Sequence, residues 1–232
     1  MYMMAGTATL YIGERGNSVV RRVKPDGVIE TFAGGGKPAS GNGDGGKATE
    51  AVLQEPHALA VGLDGSLDIA DAKSNNIRRV RIDGVIETVL GSANGVAGSN
   101  GDGASGVSAL INDPLGLAVG SDGSLYVTEY DGHRIRRLSP DGTVSTVAGT
   151  GTAGDSGDEG PAVQAKLNQP HSVDVAADGS VYITDEGNKR VRVVTPDGII
   201  HSLTGGGSQR ANEYVPAQDA SFGTARFGKR GA

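Results

Sequence analysis

Two histidines stand in the same local sequence. His57 and His171 each follow a proline that opens an alternating apolar run, Pro56-His57-Ala-Leu-Ala-Val and Pro170-His171-Ser-Val-Asp-Val. Imidazole nitrogen suits zinc or copper, so two such groups brought to one place form a candidate metal site. The equivalent position between them is Leu115, and the residue aligned with them near the C-terminus is Arg226. A second constellation is acidic: Glu14, Asp71, Glu129 and Asp185 recur at one position, and an arginine follows the last two, as Arg134 and Arg190. A ring of carboxylates can do acid–base work. A carboxylate repeated in every unit is better read as a structural ion pair, Glu129 with Arg134 and Asp185 with Arg190, or as a turn cap. The third is the set of glycine loops GNGDGG, SNGDGASG and GDSGDEG at 41–46, 99–106 and 154–160. Calcium favours carboxylate and carbonyl oxygens on tight turns. These loops lack the spacing and closing glutamate of an EF-hand, and Asx turns with left-handed glycines account for them. Calcium is therefore the lesser expectation beside zinc or copper.

The elements that must position these groups are repeats. The recurring acidic residues lie 57, 58 and 56 residues apart, and the turn glycines Gly27, Gly84, Gly142 and Gly198 keep the same intervals. Each unit reads as strand, Asp-Gly turn, strand, turn, strand, Asp-Gly turn, strand. Asp64-Gly65, Asp122-Gly123 and Asp178-Gly179 sit between alternating runs, a strong hairpin signal. Each unit is thus a four-stranded antiparallel meander, and no helix is needed. Units are predicted at 7–36, 56–92, 114–150 and 170–207, with a terminal link over 208–232. The first lacks its opening strand.

Short antiparallel sheets in series predict an all-β fold, a β-propeller of about four blades, three complete. The 232 residues form one domain of this kind. Basic residues number 21 and acidic residues 27, a net charge of −6, which excludes a broad nucleic-acid surface. Cysteine is absent, so disulfides and thiolate metal sites are excluded. No apolar run reaches the ~20 residues of a membrane helix. The opening MYMMAGTATLYIGE has no charged segment followed by a long apolar one, so no signal peptide is read there. It runs straight into a strand, as expected of a chain cut from a longer one or given its first strand from elsewhere. Compartment is not legible.

These motifs resemble NHL repeats. The carrying residues in the third unit are Pro114, Asp122-Gly123, Tyr126-Val127, Glu129, Arg134-Ile135-Arg136-Arg137 and Pro140-Asp141-Gly142. The resemblance runs to about Phe222. It implies the propeller fold, usually of six blades, and the Gly-Asp-Gly links look most like those of bacterial secreted and teneurin-like members. Such proteins include protein-binding modules, RNA-binding modules, sensors and a few enzymes, so fold does not fix function. A weaker likeness is to peptidylglycine α-amidating lyase, whose zinc is held by Pro-His histidines on inner strands, and His57 and His171 match that motif. Tyr130 lies one position out of register with the lyase's catalytic tyrosine and is not carried over.

The first expectation is a binding module for a protein, peptide or glycan, using loops at one end of the channel and performing no catalysis. The alternative is a metal-dependent lyase- or hydrolase-like enzyme with His57 and His171 as ligands. A third reading is a structural segment of a larger repeat protein. An incomplete ring would expose two apolar blade faces and self-associate.

Overall fold

The computed structural model describes residues 9–207 in full, and the backbone of 2–3, 209–210 and 220–221. Four antiparallel sheets follow one another along the chain, each in simple meander order. The inner, second, third and outer strands of blade 2 are Pro56–Val61, Leu67–Asp71, Asn76–Val80 and Ile86–Gly91. Those of blade 3 are Pro114–Val119, Leu125–Glu129, Arg134–Leu138 and Val144–Ala148, and those of blade 4 are Pro170–Val175, Val181–Asp185, Arg190–Val194 and Ile199–Gly205. Blade 1 has Leu10–Glu14, Val19–Val23 and Ile29–Gly34. Among the described residues, Tyr2–Met3 pairs along its edge, opposite Tyr11 and Leu10. The inner strands of blades 2, 3 and 4 pack side by side, and blade 1 meets the inner strand of blade 2 through Leu10–Glu14. This is the propeller arrangement. Among the described residues there is no α-helix, only single 3₁₀ turns, and no helix is long and apolar enough to cross a membrane.

The hairpin between the first and second strands of blades 2 to 4 is made by its Asp-Gly pair. The aspartate carboxylate accepts the N–H two residues on, at Asp64 to Ser66, Asp122 to Ser124 and Asp178 to Ser180. The glycine takes φ of 82°, 81° and 90°, which costs a residue without Cβ little.

The core lies between blades. One side of the second strand in blade 2, Leu67 and Ile69, packs toward blade 1, whereas Ala70 packs toward blade 3. The link before each blade inserts an apolar element into the same gap: Ala48, Ala51 and Leu53; Ala109 and Ile111; Ala162, Ala165 and Leu167. The period-two alternation of each strand thus serves two interfaces at once. Among the described residues, one face of blade 1 has no such apolar element packed on it. Ile29 is 49% exposed, whereas its counterparts Ile86, Val144 and Ile200 are fully buried.

The links also cover the outer strands. Lys47 bridges to Val85, Ser105 to Thr143, and Gly160–Pro161 pairs with Ile200 and Ile199. Each bridge covers an outer edge that would otherwise offer unpaired backbone groups to another chain. The glycine loops set this course. Gly43, Gly101 and Gly157 leave no space for a Cβ against Ala51, Ala109 and Ala165, so the link closes directly on its apolar element. The following aspartates, Asp44, Asp102 and Asp158, reach the guanidinium groups of Arg78, Arg136 and Arg192 at 2.6, 2.9 and 2.5 Å. Those arginines are among the most deeply buried side chains in the protein. The positive charge facing each candidate calcium ligand is therefore an arginine of the next blade.

Removing one partner from such a pair leaves a desolvated cation. Asp158→Ala should destabilise the protein by about 3 kcal/mol in urea unfolding, with a smaller loss when Arg192→Met is added. Equal losses in the single and double variants would show that the pair is not coupled.

Candidate functional site at the channel end

All three complete inner strands start at the same end of the channel. Each breaks its ladder register just after the opening proline, between Pro56 and Leu59, within Pro114 to Leu117, and between Pro170 and Ser172. A bulge re-aims the side chain it carries. The residues at these bulges include His57, Leu115 and His171.

The structure brings the two histidines together across blade 3. Their ring centroids are 5.3 Å apart with planes at 69°, and Tyr130 stands edge-on to His171 at 6.2 Å. Gly116 permits this closeness. A Cβ there would lie 2.7 Å from the His171 carbonyl oxygen. Thr128 Oγ1 accepts the Gly116 N–H at 2.7 Å and donates to the His171 carbonyl at 3.2 Å. His57 Nδ1 lies 3.0 Å from the Leu115 carbonyl oxygen. A carbonyl only accepts, so Nδ1 carries the proton and Nε2 keeps the lone pair. Burial, helped by the Arg15 charge, pushes the His57 pKa down to about 4, so its ring is neutral at pH 7. His171 Nδ1 lies 3.1 Å from Ser172 Oγ.

Around the rings runs a charged rim. Glu55 pairs with Arg15 of blade 1 and, at 3.0 Å, with Lys73. Asp113 holds a left-handed backbone at φ 49° and accepts the Tyr130 N–H at its carbonyl. Burial, with the Asp131 and Glu55 charges, raises the Asp113 pKa to about 6. No sequence signal marked Asp113 or the tyrosine–histidine contact, because both depend on which blades are neighbours.

Two imidazoles fall short of the three protein ligands that a catalytic zinc site takes. Among the described residues no group of three His, Asp or Glu side chains is placed to hold a metal ion. Arg226, the residue aligned with the two histidines, lies outside the described residues. Of the remaining histidines, His133 is half-buried and its Nδ1 accepts the Gln169 N–H at 3.1 Å. His201 on the outer strand of blade 4 meets Glu159 at 2.9 Å.

The repeated carboxylates are fastenings. Asp71 is wholly buried and accepts the N–H groups of Gln54 and Glu55, at 2.9 and 2.6 Å, and the Ser74 hydroxyl at 2.7 Å. Asp185 accepts Asn168 N–H at 2.7 Å and Asn188 Nδ2 at 2.8 Å. Their arginine partners correct the sequence expectation. Glu129 pairs with Arg136 at 3.0 Å and Asp185 faces Arg192 at 3.7 Å, not Arg134 and Arg190. Arg134 instead donates to the Ser99 and Thr150 carbonyls, and Arg190 pairs with Asp155 and Asp158. The two arginines of each pair share one face of the third strand: Arg134 and Arg190 open it beside the acid in the ladder, whereas Arg136 and Arg192, two residues on, lie at the bulge with the outer strand and are buried.

Comparison with known proteins now has a fold and a site to attach to. The family described as Teneurin NHL domain matches residues 36–100 and 148–222, and the NHL repeat matches 112–138. The chain belongs to the NHL-repeat family. Mouse teneurin-4 is 30% identical over 210 residues, covering 76% of this chain and 7% of its own length. A solved structure of a protein of unknown function from Bacteroides thetaiotaomicron superposes with a TM-score of 0.62 at 24% identity, over 80% of this chain and 44% of that one. A nidogen/laminin complex structure gives a TM-score of 0.54 at 15% identity, over 84% and 60%. This NHL segment therefore spans a small part of its teneurin relative.

Burial raises the Glu129 pKa to about 7 and that of Asp185 to about 6, against the opposing pull of nearby arginines and hydrogen bonds. A raised carboxylate pKa means the folded state binds more protons than the unfolded state between the ordinary carboxylate range and the raised value. Its stabilising contribution is complete below that range and is lost as pH rises toward 7. The depressed His57 contributes with the opposite sign between about pH 4 and its ordinary value near 6.5. Glu129→Gln, neutral throughout, isolates the first effect. Its urea midpoint relative to the unsubstituted protein should climb as pH rises from about 5 to about 7. A difference independent of pH would refute this assignment.

Proposed function

We propose that this NHL segment is a protein-interaction module that recognises a peptide segment at the channel end bearing His57, Tyr130 and His171. The observation that carries the reading is the convergence of three rings from three blades inside a rim of Arg15, Glu55, Lys73 and Asp113. An aromatic centre with a polar rim is the anatomy of a recognition surface. Loops on a rigid scaffold are where such surfaces lie. Membership of the teneurin-like NHL family supports the reading, as does the propeller likeness to a nidogen structure solved in complex with laminin.

Selection from a random-peptide display library tests it. Peptides recovered on the unsubstituted protein should compete with one another and lose at least tenfold in affinity for the His57→Ala/Tyr130→Ala/His171→Ala variant, with urea stability of that variant as the folding control. Recovered peptides that bind the variant equally well would place recognition elsewhere.

A second reading, zinc or copper held between the two histidines, rests on the neutral His57 ring, whose proton is fixed on Nδ1 and whose Nε2 is left as a donor. A metal ligand anchored through its other nitrogen is a recurring arrangement. Calorimetric titration with zinc should then give one site per chain that is abolished in His57→Ala/His171→Ala. No heat, or heat unchanged in the variant, removes this reading.

A further inference from the structure

The opposite half of the channel holds a different site. The later residues of the inner strands, Leu59–Val61, Leu117–Val119 and Val173–Asp174, line a cleft of about 420 Å³, closed on the blade 1 side by Tyr11 and Leu67. This size and apolar lining fall within the range of ligand pockets. Among the described residues Asp174 is the one ionisable carboxylate on the lining, and it breaks the repeat. The equivalent residues in blades 2 and 3 are Ala60 and Ala118, each opposite the same position of the second strand.

Asp174 is exposed, and among the described residues it has no ion-pair partner. One carboxylate oxygen accepts its neighbour's N–H, Val175, at 2.9 Å. The basic group at the Tyr11 end, Arg22, is committed to Glu30 and stacks over Phe32 at 5.0 Å. The cleft therefore joins an aliphatic wall to one uncompensated negative charge in a chain of net charge −6.

We propose that this cleft receives a lysine side chain from an extended peptide of a partner protein. A four-carbon stem lies along apolar surface while its ammonium seeks an anion. One carboxylate oxygen already in use disfavours the two-pronged contact that a guanidinium makes best, so the point charge of lysine fits better. The three inner strands are sheet edges, which an extended peptide can follow by backbone pairing. The site is separate from the histidine end and does not depend on what binds there.

The test uses acetylated, amidated Leu-Lys-Leu and its norleucine, glutamate and arginine counterparts, with n-butylammonium as a free amine. Binding is followed through the methyl resonances of Leu59, Val61, Leu117, Val119 and Val173. The lysine peptide should shift these methyls and bind at least tenfold more tightly than each of the other four probes. Asp174→Asn should weaken it about tenfold, and Asp197→Asn on a distant exposed turn should change nothing. Equal binding of the lysine and glutamate peptides, indifference to Asp174→Asn, or no methyl shifts would overturn the proposal. Tighter binding of the arginine peptide or of butylammonium would overturn the choice of a lysine side chain.

Discussion

A guanidinium buried between blades is the constraint on which the rest of this fold depends. Arg78, Arg136 and Arg192 are withdrawn from water almost completely, and a bulge between the third and outer strands lies beside each of them. A charge in that position is tolerated only if its donors are met. The carboxylates of Asp44, Asp102 and Asp158 meet terminal guanidinium nitrogens, and so do link carbonyls such as those of Val52, Asn100 and Lys166. The link must therefore pass over the outer edge of its blade and come back through the inter-blade gap. On that course it covers the edge strand and delivers its alanines and leucine or isoleucine to the core. In each of blades 2 to 4 one ionic contact to the link thus fixes the path of about twenty otherwise irregular residues.

That framework holds the channel ends still. With Asp71 and Asp185 gripping the backbone just ahead of Pro56 and Pro170, the bulges that carry His57 and His171 have little freedom. A functional surface can then be built from positions that the repeat leaves variable: histidine, leucine and histidine at one end; alanine, alanine and aspartate at the other. The invariant positions make the scaffold, and departures from the repeat mark where recognition is placed.

Much of the architecture was legible from the chain. Regular intervals between Gly27, Gly84, Gly142 and Gly198 gave the blade count, and the Asp-Gly pairs gave the hairpins that join the first two and the last two strands of a blade, because both signals are local. The arginine pairs were harder. Arg136 and Arg137 are adjacent in sequence and go to opposite faces, one into a buried pair with Glu129 and one to Asp122 and Ser124 on the surface. Ordinary alternation sends them to opposite faces, but the bulge that buries Arg136, between it and Ile135, has no local signature. For the same reason Arg134 was the expected partner of Glu129, although Arg136 holds it. The blade 1 edge also escaped: Tyr2–Met3 carries neither the proline nor the Asp-Gly turn that announces an inner strand elsewhere.

The candidate site divides in the same way. Pro-His at 56–57 and 170–171 named two of its residues, since both sit at one repeat position and any propeller sends that position to one channel end. Sequence alone thus determined the repeat, the turn chemistry, the alternating faces and the end of the channel to which the histidines belong. Tertiary structure alone decided that the two rings lie 5.3 Å apart, that Tyr130 joins them, that burial keeps His57 neutral, and that Asp174 faces an apolar cleft. These properties depend on residues over a hundred positions apart, on the space a missing Cβ at Gly116 opens between neighbouring strands, and on how much water is excluded there. None of them is encoded in a stretch short enough to read locally.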